Sequence, residues 1–304
     1  MKHLLLLSLL LHYCATAYAQ NQYLVVLGVA QDGGYPQVGA VQEYAAVTMG
    51  QRQREKVVAL GVVDEPAQQK FLLEATPDMP EQLYALNDYL PTPGTLPTGI
   101  FLTHGHIGHY TGLMYLGREA LGASQVPVYA MPRMASFLTN NAPWSQLLTL
   151  HNIQLQPLAN GQAIALNPSL KITPFLVPHR DEFTETVGFE ITGAHKKAVF
   201  IPDIDKWAKW PQNLTEVVKH VDYALLDATF YRDGELARPM AEVPHPFVEE
   251  TLKLLQALPP SERAKVYFIH FNHTNPLLQR DSPERRAVLQ QGFKIAEEGL
   301  ALPL

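Results

Sequence analysis

The stretch FLTHGHIGHYTG, residues 101–112, places three histidines, His104, His106 and His109, within six positions. An apolar run leads into it and an apolar segment leads out. The spacing nearly matches His-x-His-x-Asp-His, a pattern of metal hydrolases, but Gly108 stands at the acidic position. Two imidazoles two residues apart on an extended loop can point the same way, and His109 joins them from the start of the next helix. Zinc and similar ions take neutral imidazoles and carboxylates at about 2.0–2.2 Å. The cluster therefore reads as a metal site whose second half is open to question.

Working outward, TGIFLT (98–103) is the apolar strand that delivers the histidines. QYLVVLGVA (22–30) reads as a buried strand running into the glycine loop QDGGYP, where Gly33, Gly34 and Pro36 force a turn. The runs AAVTMG (45–50), KVVALGV (56–62) and KFLLEA (70–75) read as further short strands, and PEQLYALNDYL (80–90) has helical spacing. TGLMYLGREALG (111–122) reads as a helix ending at Gly122. In the second half, strand segments end at His179, and VGFEITG and KAVFIPD form a hairpin. DYALLDATF ends near Asp227, and AKVYFIHFNHTNP carries His270 and His273. Between the last two, HPFVEETLKLLQAL reads as a helix with Pro246 in its first turn.

One address recurs. His104, His179, Asp203, Asp227 and His270 each lie at or just beyond the C-terminal end of an expected strand. Strand ends deliver side chains to a sheet edge where loops gather, so five such positions argue for one convergent site. His104, His106, His109, His179, Asp203 and His270 are the candidate metal ligands. Asp203 follows its strand more directly than Asp205, which reads as a helix cap or a surface residue. His273 borders the pocket as a further ligand or a proton donor, and Asp227 takes a pocket role. Asp32, in the glycine loop, either lines the pocket or belongs to a plain turn. His245, before Pro246, either reaches the site from a helix start or, the favoured reading, is a capping or surface residue, and His151, His195 and His220 read as unremarkable ones.

Composition limits the function. Of 304 residues, 47% are apolar and 17% charged, which suits a globular chain with ample core. The first residues, MKHLLLLSLLLHYCATAYAQ, have a basic start, an apolar run from Leu4 to Leu11 and a small-residue cleavage site, Ala17-Tyr18-Ala19. That run is too short to span a bilayer. The expected organisation is a signal peptide over 1–19 and a single domain over 20–304, secreted or periplasmic, with no membrane anchor once cleaved. Cys14 is the only cysteine, so the mature chain has neither a disulfide nor a thiolate ligand. Losing Lys2 moves the net charge from 23 − 29 = −6 to 22 − 29 = −7. With no basic stretch, nucleic acid is not an expected partner; a small-molecule substrate is. Oligomeric state is not readable.

The resemblance of the chain is specific at this point. VLGVAQDGGYPQ, THGHIGHYTGL, VPVYAMPRM, LLDATFY and IHFNHTNPLL together resemble the metallo-β-lactamase superfamily, and within it the pyrroloquinoline quinone biosynthesis protein B branch. The likeness covers nearly the whole mature chain. It implies an α/β (α+β) fold, a four-layer αββα sandwich with the metal site at one edge of its two sheets. It implies a first metal held by His104, His106 and His179, a second by His109 and His270, and Asp203 bridging both. Gly108 departs from the pattern, because the binuclear hydrolases carry an aspartate there that ligates the second metal; His273 is the expected compensation.

Three functions follow. The first is an exported hydrolase with one or two zinc ions per chain, which make hydroxide available at neutral pH for an ester, lactone, amide or phosphodiester. Here Asp203 orients the nucleophile, and His273 or Asp227 gives a proton to the leaving group. The second is an iron-dependent oxidative enzyme, because histidine and carboxylate suit iron as well as zinc. The third is a binding protein of the same fold without turnover.

Overall fold

The computed structural model describes residues 21–90, 96–240 and 243–304. The expected signal peptide lies outside the described residues. The chain builds two seven-stranded mixed sheets. The first takes β1 (Gln22–Gly28), β2 (Ala59–Asp64), β3 (Gln69–Leu73), β4 (Gly99–Phe101), β5 (Val126–Ala130) and β6 (Ile153–Pro157) in chain order. The second takes β7 (Ile164–Asn167), β8 (Leu170–Leu176), β9 (Val187–Thr192), β10 (Lys197–Ile201), β11 (Tyr223–Asp227), β12 (Val266–Ile269) and β13 (Lys294–Ile295). The last strand, β14 (Ala301–Pro303), returns to the first sheet beside β1.

The unbroken apolar runs in the sequence follow from burial on both faces. Along β1, Leu24 and Val26 enter the core between the sheets, while Val25 and Leu27 face the helices outside. The same division separates Leu60 and Val62 from Ala59 and Val63 on β2, and Phe101 from Ile100 on β4. The outer face of the first sheet is covered by α2 (Met79–Tyr89) and by α4 (Pro132–Asn140) and α5 (Trp144–Thr149). On the second sheet, α6 (Leu214–Lys219), α7 (Val248–Leu255) and α8 (Pro283–Gln290) pack through Leu214, Val218, Leu252, Leu255 and Val288. Helix, sheet, sheet, helix is the expected sandwich. No helix among the described residues is long and apolar enough to cross a membrane.

Two local expectations are corrected. AAVTMG is not a strand; it belongs to α1 (Val41–Thr48), none of whose residues is buried. Left-handed Gly39 and Gly50 detach this segment at both ends, so it finds no sheet partner and closes its hydrogen bonds within itself. TGLMYLGREALG is not one helix either. A single turn, α3 (Ile107–Tyr110), gives way to a 3₁₀ segment over Thr111–Leu116 that ends at Gly117. Gly112 lies against the Ala75–Thr76 backbone and donates to the Ala75 carbonyl at 2.8 Å, which diverts the chain from a regular helix.

The site is set by strand direction. β10, β11 and β12 run parallel, and β8 shares their direction because it and β10 are both antiparallel to β9. In the other sheet β1 and β3 are both antiparallel to β2, and β4 is parallel to β3. The C-terminal ends of β1 and β4 therefore share one sheet edge, and those of β8, β10, β11 and β12 share another. The two edges are joined where Ala30, just past β1, bridges Phe271, just past β12.

Candidate metal centre

Six of the expected positions meet at this junction. His104 and His106 follow β4, His179 follows β8, Asp203 follows β10 and His270 follows β12, while His109 enters from α3. Asp203 is the hub. Its Oδ1 lies 3.3 Å from His179 Nε2, and its Oδ2 lies 3.4 Å from His104 Nε2, 3.4 Å from His109 Nε2 and 3.6 Å from His270 Nε2. His104 Nε2 and His106 Nδ1 are 2.8 Å apart. Four donors around an ion with bonds of about 2.0–2.2 Å stand roughly 3.3–3.6 Å from one another in a tetrahedron, so most of these separations suit a shared cation. His104, His106, His179 and Asp203 form one such group, and Asp32, His109 and His270 another; Asp203, Asp227, His245 and His270 form a third.

The donor atoms are sealed and lack protein partners. Both ring nitrogens of His179, Nε2 of His109 and His270, and Oδ1 of Asp203 and Asp32 are buried without a hydrogen bond. Buried polar atoms left unpaired cost about 1–3 kcal/mol each, so such a concentration calls for a ligand. The outer nitrogens, by contrast, are fixed. His104 Nδ1 pairs with the Thr103 hydroxyl at 2.9 Å, and His270 Nδ1 with the Thr229 hydroxyl at 2.8 Å. His109 Nδ1 stands 3.3 Å from Glu74 Oε1, a charge-pair distance, though neither atom makes a hydrogen bond. Contacts of this kind choose the tautomer and aim the other nitrogen at a metal. His270 holds a left-handed backbone, φ 69°, an uncommon conformation for histidine outside constrained sites.

Electrostatics favour the same use. Burial, reinforced by His109, keeps the His104 imidazole well below its usual pKa. Burial also brings His179 down to about 4 and lowers His270. These rings are neutral at pH 7, as metal ligation requires. Burial opposes charge on Asp203, but His179, His270 and His245 outweigh it and hold the carboxyl well below its usual range. Burial likewise opposes charge on His109, yet Glu74, Asp203 and Asp32 raise it well above 6.5. Three carboxylates around one ring thus demand a positive charge, which a proton or a metal ion can meet. The residues present fit a divalent cation.

Other expectations are corrected. His245 is not a surface cap. Its side chain is 5% exposed, and Nδ1 lies 2.9 Å from Asp227 Oδ2 and 3.2 Å from Asp203 Oδ1. It follows no strand, so the strand-end rule passes over it. Glu74 was also missed, although it directly follows β3 and the same rule reaches it. Asp227 is fully buried, accepting from the Thr229 hydroxyl and the Ile204 amide, with Oδ2 2.9 Å from His245 Nδ1. His273 does not join the cluster. Its Nδ1 pairs with Glu43 Oε1 on α1 at 2.6 Å, which turns it toward the rim. Asp205 is a buried residue rather than a surface one, accepting from the Lys206 amide and pairing with Lys209. Trp144, Trp207 and Trp210 pack against neighbouring aromatic rings. Beside the cluster opens a cleft of about 550 Å³ bordered by Arg180, Phe230, Arg238, Val243, His245 and His273.

Comparison with known proteins agrees with this architecture. Residues 69–271 match the family described as Beta-lactamase superfamily domain. The chain is 30% identical to coenzyme PQQ synthesis protein B of Gluconobacter oxydans, over 92% of this chain and 98% of that one. It is 26% identical to the protein of the same name from Methylorubrum extorquens, over 93% and 100%. Among solved structures, the Zn²⁺-bound PqqB of Methylobacterium extorquens superimposes with a TM-score of 0.77 at 24% identity, covering 93% of this chain and all of that one. A diphosphatase of the PhnP family gives 0.64 at 22% identity, over 93% and 97%.

Proposed function

This chain belongs to the metallo-β-lactamase superfamily, in the branch of coenzyme PQQ synthesis protein B, and on that footing we propose that it is a metal-dependent hydrolase of a small, anionic substrate. The observation that carries the reading is the convergence of buried, unpaired imidazole and carboxylate atoms on one point beside an open cleft. His104, His106, His179 and Asp203 would hold a divalent ion, which would supply Lewis acidity and make hydroxide available near neutral pH.

The chain's own groups do the rest. Arg180 and Arg238 border the cleft and favour a phosphodiester or a carboxylate-bearing ester or lactone over a neutral amide. Phe230 and Val243 give the same cleft an apolar wall that excludes water from the bound substrate. Asp227 Oδ2 fixes the proton on Nδ1 of His245, so the other ring nitrogen is the one that can exchange a proton with a leaving group. This transfers to His245 the role first expected of His273.

The test is to load the full chain with Zn²⁺ or Fe²⁺ and follow hydrolysis of bis(p-nitrophenyl) phosphate and of simple lactones beside oxygen uptake. Hydrolysis without oxygen uptake is expected. An iron-dependent oxidative enzyme is the second reading, favoured by the name its relatives carry and by a donor set that suits iron equally. Oxygen uptake with Fe²⁺ and no hydrolysis with either ion would establish it instead. We also propose export, on the strength of residues 1–19 alone. N-terminal sequencing of protein from outside the cytoplasm checks this, with Gln20 expected first.

A further inference from the structure

Gly108 leaves the histidine loop without an acid, and the structure shows what occupies the space. Gly108 lies within α3, and its backbone is not left-handed, so nothing local forbids a side chain. A Cβ placed there would lie 2.3 Å from Asp32 Oδ1, 2.6 Å from Asp32 Cα and 3.0 Å from Asp32 Cγ. Asp32, from the glycine loop after β1, fills the volume into which an acid at 108 would project. The two positions exclude each other sterically.

Asp32 also has the placement of a ligand. Its Oδ1 is sealed from water, has no hydrogen-bond partner and stands 3.2 Å from His109 Nε2. Ligand atoms of Asp32, His109 and His270 all fall within 4.8 Å of one another. Asp203 Oδ2 also stands 3.4 Å from His109 Nε2 and 3.6 Å from His270 Nε2. The loop is pinned to the His270 strand end. The Gln31 amide donates to the Phe271 carbonyl at 2.7 Å, and the Asn272 side chain donates to Gln31 Oε1 at 2.6 Å. Glu74 Oε1 stands 3.3 Å from the far nitrogen of His109, on the side away from Asp32.

We propose that Asp32 supplies the carboxylate that position 108 lacks, and so completes with His109, His270 and Asp203 a second metal subsite beside the first. This rests on the metal-centre reading given above. The acid has moved from the histidine loop to the glycine loop, and glycine at 108 is what makes room for it. An ion pair between Asp32 and a protonated His109 would use the same geometry, so the test must count metals rather than measure turnover.

Metal-free full chain is titrated with Co²⁺, followed by its visible absorption, and then with Zn²⁺ by calorimetry. The proteins are wild type, Asp32→Asn and Asp32→Gly. Circular dichroism verifies folding; if Asp32→Gly fails to fold, the same-shaped Asp32→Asn carries the test. Wild type is expected to take two ions. The single variants are expected to keep the first and to bind the second more than about 100-fold more weakly, beyond the loss of an outer hydrogen-bond partner. Two ions at unchanged affinity in both single variants would overturn the proposal. One ion in wild type would overturn it while leaving the first site standing, and none would overturn both.

Discussion

The two halves of the metal centre are assembled by different routes. His104 and His106 come from one tight loop after β4, and only His179 and Asp203 reach them from the second sheet. The other half has no such local core. Asp32 comes from the glycine loop, His109 from α3, His270 from the end of β12, and Glu74 supports His109 from the end of β3. The first half takes two of its four donors from spacing within a few residues and is completed from the second sheet. The second half takes each donor from a different segment and depends on the seam where Ala30 meets Phe271. Local geometry is written in a motif, whereas geometry across a seam is written in packing.

Asp203 is common to both halves, and its loss should have the largest effect. Asp203→Asn is expected to reduce affinity for both ions and activity by more than the roughly 100-fold that loss of an outer partner costs. Elemental analysis after dialysis checks it, and loss confined to one ion would break the symmetry claimed for the hub. Next comes His245. His245→Gln is expected to slow turnover by about 10²–10⁴-fold with metal content unchanged, as loss of a positioned proton donor does. A lost ion would instead make His245 a ligand.

The outer contacts sharpen the contrast. Glu74→Gln should weaken only the second ion, and Thr103→Val only the first, each by about 10–100-fold in a competition titration. Equal effects on both ions from either change would mean that the halves are not separable.

The smallest effect is on stability. Glu55 supports the glycine loop through its backbone pair with Tyr35, and burial raises its carboxyl from 4.5 to about 7. The folded state then keeps a proton that the unfolded state releases, so this group's stabilisation is full below pH 4.5 and is lost as pH rises through about 7. Glu55→Gln should therefore match wild type in Tm near pH 4 and exceed it near pH 8. Allowing for solvent screening, the difference is on the order of 1 kcal/mol. A constant difference across that range would contradict the assignment.

The same contrast explains what could be read from the sequence. Alternating burial on two covered faces makes each strand an apolar run, so the strands were legible, whereas the sandwich came from the family resemblance; His106 and His109 were legible from loop spacing, and His104, His179, Asp203 and His270 from strand ends. Position after a strand carried that information. It failed for His245, which arrives on a loop between Pro244 and Pro246 with no strand before it. For His273 it marked the cleft border but not the partner, because Glu43 lies on α1, just before the run AAVTMG that was read as a strand; no local signal tells an unpartnered Ala/Val run from a paired one. The role of Asp32 was not legible, because its relation to Gly108 spans 76 residues and exists only in the folded chain.

The most direct measurement is the metal content of full chain purified without chelator, by elemental mass spectrometry, beside a His179→Ala variant. The account predicts zinc or iron in wild type, approaching two ions per chain, and a reduced content in the variant. Folded wild-type protein that holds no metal, even after incubation with Zn²⁺ or Fe²⁺ under reducing conditions, would contradict it.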